Sequence, residues 1–196
     1  MKIISFEGIE GVGKSTQINL LKKYLEKNGY TTEVLREPGS TTTGERIREI
    51  LLDSDNNLTD ETELLLMFAA RSELINNKIN TSSCDYLLLD RFYDASIAYQ
   101  GYGRNLSISF IEELISFTNC PTPNLSVLID ITVEEGFLRK INDKKDRIES
   151  SGNNFFNNVR DGYLKIAENN NNRFIIIDGT SSIEEIQKQI VIKLNV

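Results

Sequence analysis

The chain has 196 residues, of which 39% are hydrophobic and 26% charged, as expected for a folded domain with a substantial core. Its formal net charge of −7 argues against a nucleic-acid backbone or an anionic membrane as a partner. Histidine is absent, which excludes metal sites and catalytic triads built on imidazole. Residues 1–10 lack the apolar run of a signal peptide and no apolar stretch is long enough to span a bilayer, so we expect a cytoplasmic protein.

Short apolar runs alternate with longer segments of helical periodicity, a pattern typical of α/β proteins. The predicted strands are 2–7, 32–36, 86–90, 126–131 and 173–178. The predicted helices lie at about 14–28, 44–52, 60–79, 107–118, 133–141, 155–168 and 182–194. Because the apolar runs are continuous, the sheet should be parallel and buried on both faces. We therefore expect one domain, residues 1–196, with an α/β three-layer sandwich in which a five-stranded parallel sheet is flanked by helices.

A phosphate-binding loop (P-loop) follows the first predicted strand and opens the first helix, since residues 8–15 read G-I-E-G-V-G-K-S and fit G-x-x-x-x-G-K-[ST]. Its glycines let backbone N–H groups surround phosphates, and the helix N-terminus favours negative charge. Lys14 is placed to reach the β- and γ-phosphates, and Ser15 to bind Mg²⁺. The residues predicted to bind a nucleoside triphosphate are Gly8, Ile9, Glu10, Gly11, Val12, Gly13, Lys14, Ser15 and Thr16.

The loop alone does not identify a reaction, because motors, switches and kinases share it. The N-K-x-D segment of a guanine-specific switch is absent from the sequence. Arg36 ends the second predicted strand and Asp90-Arg91 end the third, at the sheet edge where parallel α/β proteins bind ligands. We expect the two arginines to bind phosphate groups and Asp90 to orient Mg²⁺ or its water. The pattern favours a kinase with a second, anionic substrate.

Five motifs together resemble bacterial thymidylate kinases: F-E-G-I-E-G-V-G-K-S-T, R-E-P-G-S-T, D-R-F-Y-D-A-S-I-A-Y-Q-G, D-R-I-E and R-D-G-Y-L. They extend in order from Phe6 to Leu164, over nearly the whole chain. The resemblance implies transfer of the γ-phosphoryl group of ATP to thymidine 5′-monophosphate with Mg²⁺, by an enzyme that is typically a homodimer. Such an acceptor phosphate is already a nucleophile, so no general base is needed.

The resemblance also implies roles for residues around the acceptor's phosphate and sugar. Arg36 and Arg91 should hold the phosphate, and Arg48 should contribute to the same pocket. Glu10 should lie near the 3′-hydroxyl, and Tyr99 should pack under the sugar and disfavour a 2′-hydroxyl. The alternatives from the residues alone are that the Asp90-Arg91 pair is structural and that Tyr99 belongs to the core.

For the base, the resemblance implies that Ser96 and Gln100 face its edge and that Arg71 bonds its carbonyl. Family members usually carry phenylalanine four residues before this arginine, to stack on thymine. Here that position is Met67, and Phe68 lies three residues before. Both spacings reach the arginine's side of a helix, so either residue could cover the base; we slightly favour Phe68 because its ring can stack.

Basic residues crowd one segment of this acidic chain, at Arg139, Lys140, Lys144, Lys145 and Arg147. An arginine that meets the charge of the phosphoryl-transfer transition state is worth roughly 10³–10⁵ in rate, and the P-loop contains none. We therefore expect a mobile basic lid at about 139–151, from which Arg139 or Arg147 supplies this charge. The alternative is a solvated charged face. The predicted catalytic residues are Lys14, Arg91, Arg139 and Arg147.

Two other functions stay open from the residues. One is a kinase of the same fold that acts on a (deoxy)nucleoside or on another monophosphate; a nucleoside kinase would gain little from two phosphate-binding arginines. The other is a non-catalytic, ATP-dependent switch, which would bind ATP without acceptor-dependent turnover.

Overall fold

Five strands form one parallel sheet in the computed structural model, which describes residues 1–141 and 146–196. They are β1 (Lys2–Glu7), β2 (Thr32–Arg36), β3 (Tyr86–Asp90), β4 (Leu125–Asp130) and β5 (Phe174–Asp178). Their spatial order is β2-β3-β1-β4-β5, and every neighbouring pair is parallel. The predicted five-stranded parallel sheet is confirmed; β4 starts and ends one residue before its prediction, and β5 starts one residue after.

The helices are α1 (Lys14–Lys27), α2 (Thr42–Leu52), α3 (Asp60–Asn77), α4 (Tyr93–Ser96), α5 (Ile108–Phe117), α6 (Val133–Arg139), α7 (Asn153–Asn169) and α8 (Ile183–Leu194). The seven predicted helices are present, with α6 two residues shorter than expected. The sequence did not predict α4 or the π-helix Ile97–Gly103 that continues it. Of the helices within the described residues, none is both long and apolar enough to cross a membrane.

The sheet is buried on both faces, which makes three layers. Alternate residues of β3 join different cores: Leu87 and Leu89 pack with Leu74 of α3, whereas Leu88 belongs to the core that includes Leu21 of α1. All five leucine side chains are fully buried. Apolar burial on this scale stabilises the fold by about 25 cal/mol per Å² and explains why the strands read as continuous apolar runs.

The strand register brings the candidate site together at one edge. Asp90 pairs with Phe6 of β1 on one side and with Arg36 of β2 on the other. The P-loop begins one residue after β1 ends, so it emerges beside the same edge. The carboxyl ends of three adjacent strands therefore supply the loop, an arginine and a carboxylate, as expected for a ligand-binding α/β sheet.

Candidate active site

A cavity of about 510 Å³ lies at the carboxyl edge of the sheet, between the P-loop, α3 and the π-helix. All predicted substrate-binding residues line it except Phe68, and so do three of the four predicted catalytic residues, Lys14, Arg91 and Arg139. We call the part near the P-loop the loop end, and the part around Met67, Arg71 and Gln100 the α3 end.

Two glycines of the P-loop lie so close to neighbouring backbone that a side chain would not fit there. Gly8 has a φ of 127°, and a Cβ atom there would overlap the backbone oxygen of Ile129 in β4. A Cβ at Gly11 would overlap the backbone oxygen of Gly136 in α6, and a Cβ at Gly136 would in turn overlap the backbone oxygen of Glu10. Only glycine allows these approaches. Gly8, Ile9 and Val12 are buried behind the cavity wall, while Gly11, Gly13, Ser15 and Thr16 line it.

Lys14 is the first residue of α1, and its ammonium group bonds to the loop itself. Nζ donates to the backbone oxygens of Ile9 at 2.9 Å and Gly8 at 3.2 Å. Burial, together with the positive charge of Arg91, lowers the pKa of Lys14 from 10.5 to about 8. This cation at a helix N-terminus has no carboxylate hydrogen-bonded to it among the described residues, so it can bind an incoming anion.

Ser15 and Asp90 meet at the floor of the loop end. The hydroxyl of Ser15 donates to the Oδ2 of Asp90 over 3.3 Å, and both residues line the cavity. Within the described residues there is no cluster of three or more carboxylates or thiols that could hold a metal by itself. A hydroxyl and one carboxylate are the sparse set of hard oxygen ligands that Mg²⁺ uses when substrate phosphates complete its shell.

Arg91 has a φ of 66° and joins the P-loop to the π-helix. Its guanidinium donates to the backbone oxygen of Gly8 at 2.7 Å and to Glu10 at 2.9 Å, and it lies 4.8 Å from the centroid of the Tyr99 ring. The hydroxyl of Tyr99 donates to Glu10 as well, at 2.8 Å. Glu10, Arg91 and Tyr99, which the sequence assigned to three different roles, therefore form one cluster.

A second layer that the sequence did not predict holds Arg91. The hydroxyl of Tyr163 accepts from Arg91 at 3.0 Å and donates to the fully buried Glu7 at 3.0 Å. Glu7 also accepts the backbone N–H of Phe92. Burial and the nearby charge of Asp94 raise the pKa of Glu7 to about 8. The pair fixes both the side chain of Arg91 and the backbone beside it.

Arg36 and Arg48 are held more loosely beside the loop end. Arg36 donates to Glu45 at 2.8 Å in a pair that is about half exposed, with side-chain exposures of 52% and 41%. Arg48 donates to the backbone oxygen of Pro38 at 2.9 Å. Exposed ion pairs such as Arg36–Glu45 are worth roughly 0–1 kcal/mol, and the oxygen that Arg48 contacts is neutral, so a phosphate could displace both contacts.

At the α3 end, Arg71 is fixed by a buried ion pair. Its Nε and Nη2 donate to the Oε2 of Glu37 at 2.8 and 2.7 Å, and both side chains are at most 5% exposed. The remaining nitrogen, Nη1, is buried without a partner within the described residues. An unpaired buried donor is costly, so this atom marks where a ligand acceptor would bond.

The structure distinguishes the two candidates for covering the base. Phe68 is 3% exposed, packs with Leu64 and Ile111, and lies beneath Arg71 with its centroid 4.5 Å from the guanidinium carbon. Met67 lines the cavity. The preference for Phe68 is therefore not supported: the helix turns this ring into the core, where it supports Arg71, and presents Met67 to the cavity.

Gln100 and Ser96 are almost fully buried and line the same α3 end. Gln100 lies on the π-helix next to Tyr99, so neighbouring residues face both ends of the cavity. Its Nε2 donates to Glu63 at 2.8 Å, which leaves its carbonyl oxygen as an acceptor. π-helical turns are frequent at functional sites.

The two arginines of the predicted lid lie in different places. Arg139, at the end of α6, donates to the backbone oxygens of Gly179 at 2.9 Å and Gly11 at 3.5 Å, beside the P-loop. Arg147 donates to Glu63 at 2.7 Å and to the backbone oxygen of Leu51 at 2.8 Å, and it does not line the cavity. The contacts thus do not support the prediction that Arg147 faces the transferred group, because its guanidinium is bound to α2 and α3.

The remaining residues of the predicted lid are only partly described by the structure. Lys144 and Lys145 fall in 142–145, outside the described residues. Lys140 and Glu149 form an ion pair, and both line the cavity. Residues 149–151 form a short 3₁₀ turn before Gly152.

Sequence reasoning missed the buried acids that hold the site, namely Glu7, Glu37 and Glu63. Glu37 stood inside the R-E-P-G-S-T motif, directly after Arg36. Glu63 lies one and two turns before Met67 and Arg71 on α3, so helical periodicity places all three on one side. That spacing was the available signal, and the acidic neighbours Asp60 and Glu61 concealed it.

Known proteins were compared with the chain as a whole. A family model described as thymidylate kinase matches residues 6–190. The thymidylate kinase of Kosmotoga olearia is 46% identical over 192 residues, with 96% of this chain and 92% of the relative covered. The thymidylate kinase of Chlorobaculum tepidum is 42% identical over 202 residues, covering 96% and 94%. The crystal structure of thymidylate kinase from Ehrlichia chaffeensis superposes with a TM-score of 0.81 at 31% identity, covering 100% of this chain and 98% of that one. The chain therefore belongs to the thymidylate kinase family.

Proposed function

We propose that this chain transfers the γ-phosphoryl group of ATP to thymidine 5′-monophosphate, giving ADP and thymidine 5′-diphosphate for dTTP synthesis. Family membership supports the reaction. One observation carries the acceptor: opposite ends of one cavity are lined by a P-loop and by a buried arginine whose Nη1 has no hydrogen-bond partner among residues 1–141 and 146–196. Phosphate groups at the loop end and a base carbonyl at Arg71 would satisfy both ends at once.

Catalysis in this proposal is positioning plus charge neutralisation. Lys14 and the N-terminus of α1 bind the transferred group of ATP, while Arg36, Arg48 and Arg91 bind the acceptor's phosphate. The acceptor phosphate is ionised at neutral pH, so no side chain has to remove a proton. The loose partners of Arg36 and Arg48 support this, because both guanidinium groups are available to a phosphate.

Ser15 and Asp90 fit a Mg²⁺ ion, and we assign them to it on the chemistry of their oxygens and their 3.3 Å contact. When bound, Mg²⁺ would neutralise charge on the phosphate oxygens of ATP. The carboxylate of Asp90 holds the hydroxyl of Ser15 toward the loop end, where those phosphates would lie.

Arg139 is the better of the two candidates for the transition-state cation. It lies against Gly11 of the P-loop, and its N–H groups donate to backbone oxygens rather than to a carboxylate. A small shift of α6 would exchange these neutral acceptors for phosphoryl oxygens. The lid predicted at about 139–151 belongs to this proposal through its described end, Arg139 of α6.

Glu10 and Tyr99 would meet the sugar. The carboxylate of Glu10 is held by Arg91 and Tyr99 and can accept a hydrogen bond from a 3′-hydroxyl. The ring of Tyr99 is buried and contacts both Glu10 and Arg91, and in this proposal it packs under the sugar and disfavours a 2′-hydroxyl. At the α3 end, Ser96, Gln100 and Arg71 would face the base edge. Met67 would cover its face through a sulfur–aromatic contact.

A homodimer is the proposed assembly, and a cytoplasmic location, where ATP is available, the proposed setting. Three large apolar side chains are exposed on α3 and α5, which pack together: Leu65 at 54%, Phe110 at 46% and Phe117 at 83%. A second copy would cover such a surface. Sedimentation analysis should then show a dimer that dissociates in a Leu65→Glu variant.

A coupled ADP-release assay with Mg-ATP tests the reaction. We expect rapid turnover with thymidine and deoxyuridine monophosphates, and little with uridine monophosphate or with the nucleoside thymidine. Turnover with thymidine but not its monophosphate would instead identify a nucleoside kinase. ATP binding without turnover on any acceptor would identify a switch.

A further inference from the structure

One buried carboxylate, Glu63 on α3, accepts hydrogen bonds from three side chains that belong to two distant parts of the chain: Gln100 and Arg104 at the π-helix, and Arg147. Its Oε1 accepts from Gln100 at 2.8 Å and Arg104 at 3.3 Å. Its Oε2 accepts from Arg104 at 3.0 Å and Arg147 at 2.7 Å. The Glu63 side chain is 0% exposed, so these donors replace all of its hydration.

The two outer donors belong to different functional parts. Gln100 lines the α3 end of the cavity, where the base is proposed to bind. Arg147 holds the segment that follows residues 142–145 against α2: its backbone N–H donates to the oxygen of Leu52, and its side chain to that of Leu51. These oxygens belong to the last turn of α2, where helix carbonyls lack partners and attract cations. In the described part of the chain, no hydrogen bond joins Gln100 to Arg147 directly, and both donate to Glu63.

Arg104 completes the arrangement by donating to both oxygens of the carboxylate. Its guanidinium lies 4.3 Å from the centroid of the Phe155 ring and also pairs with Asp60 at 3.4 Å. It does not line the cavity. Arg104 therefore keeps Glu63 charged and in place, while Gln100 and Arg147 remain the two donors with functional neighbours.

Such a carboxylate is sensitive to the loss of any donor. Burial alone would raise the pKa of Glu63, but the hydrogen bonds from Arg104 and Gln100 outweigh it and hold the pKa below its usual value. A buried, charged oxygen that loses one donor draws the remaining donors toward itself, because leaving it unpaired costs more. Removal of Arg147 should thus pull on Gln100, and removal of Gln100 should pull on Arg147.

We propose that Glu63 is a positioning residue that couples the orientation of Gln100 in the base pocket to the placement of the segment carrying Arg147. The inference rests on the proposed function, since it gives Gln100 a base to read. A base that bonds to Gln100 then also favours the position of this segment in which Arg147 donates to Glu63. A base that does not bond to Gln100 has neither effect.

The test is a double-mutant cycle on binding of thymidine 5′-monophosphate, measured by calorimetry on the full chain. Gln100→Leu and Arg147→Met each remove one donor and keep much of its volume. In the native background the combined effect on Kd should differ from the product of the single effects by about fivefold or more, as residues in one hydrogen-bond network do. In a Glu63→Gln background this coupling should fall below about twofold.

A matched control and a kinetic readout separate positioning from general stabilisation. Glu61→Gln makes the same chemical change at an exposed site two residues earlier on α3 and should leave the cycle unchanged. Arg147→Met should raise KM for the monophosphate while kcat at saturation changes by less than about threefold, which a loss of folded protein would not produce.

Multiplicative single effects in the native background would overturn the inference, as would coupling that survives Glu63→Gln. If Glu63→Gln does not fold, as judged by circular dichroism, the native cycle alone decides. A chain that binds the monophosphate but does not turn it over would defeat the proposed function and leave this cycle measurable.

Discussion

Two donors at each end of the cavity are held in opposite ways, while Arg91 of the loop end, which donates to Glu10, is an exception. At the loop end, Lys14 and Arg139 donate to backbone oxygens of the loop and its neighbours. At the α3 end, Arg71 and Gln100 donate to the buried carboxylates of Glu37 and Glu63. Neutral acceptors are readily exchanged for phosphate oxygens, whereas a buried charged acceptor stays with its donor.

This difference matches what each end has to do. Phosphate groups bring their own charge, so the loop end needs cations that can transfer to a new acceptor and move with the transferred group. A base edge carries no net charge, and its donor and acceptor atoms point in fixed directions. The α3 end therefore needs donors that do not move. A single cavity therefore has exchangeable hydrogen bonds around Lys14 and Arg139 and fixed hydrogen bonds around Arg71 and Gln100.

Lys14→Met should cause the largest loss of activity. It removes the ammonium group that can exchange backbone oxygens of the loop for phosphate oxygens of ATP. We expect kcat/KM to fall by about 10³, at the upper end of what one electrostatic donor contributes. The measurement is ADP release under saturating thymidine monophosphate. Lys22→Met, on the exposed side of α1, is the control. A loss of less than tenfold would mean that Lys14 does not bind the transferred group.

Arg139→Ala should follow, with kcat lower by about 10² and thymidine monophosphate affinity nearly unchanged. Arg147→Met should instead change KM, because its guanidinium is bound to Glu63 rather than facing the loop. Single-turnover rates for the two variants make the comparison. Equal losses in kcat would show that both arginines reach the phosphates, and would break the distinction between an exchangeable and a fixed cation.

Glu37→Gln should weaken thymidine monophosphate binding by about tenfold or more, because Arg71 would lose the charged acceptor that orients it. Glu45→Gln provides the matched change at the exposed Arg36 pair and should alter binding by less than about threefold. Calorimetric Kd values decide. Similar effects in both variants would show that burial of the carboxylate does not govern how firmly its arginine is held.

The smallest expected effect is a pH dependence of ATP binding. The pKa of Lys14 is lowered to about 8 in the free protein, and phosphate binding requires the protonated form. Affinity should therefore be constant below pH 8 and fall by at most about tenfold per pH unit above it, with proton uptake on binding. Calorimetry in buffers of different ionisation enthalpy measures both. A Lys14→Met variant that keeps the same slope would assign the effect elsewhere.

The sheet and the P-loop could be predicted because they depend on local signals. Continuous apolar runs mark β1 and β3, and G-x-x-x-x-G-K-[ST] has one structural meaning in this context. The π-helix could not be predicted, because Gly101 and Gly103 indicate a turn when the sequence is considered without tertiary contacts. The π-helix packs against α7, which lies far away in sequence, so a local pattern does not contain its surroundings.

The partners of the charged residues were equally beyond a local pattern. Arg147 looked free because its acceptor, Glu63, lies 84 residues away. Glu63 in turn looked like one more acid in the first turn of α3, where such residues normally face water. Which arginine stays available to a ligand depends on ion pairs between residues that are far apart in the chain. The sequence shows the charged residues but not these pairs.

The contact between Gly11 and Gly136 has a consequence for how this protein can vary. The backbone of the P-loop rests directly on the backbone of α6, the helix that ends in Arg139. A methyl group added to either glycine meets a main-chain oxygen, and the opposite residue has no side chain to shorten in return. A compensating substitution is therefore not available at the partner position, so both glycines must be kept together or the helix must move as a whole and take Arg139 away from the loop.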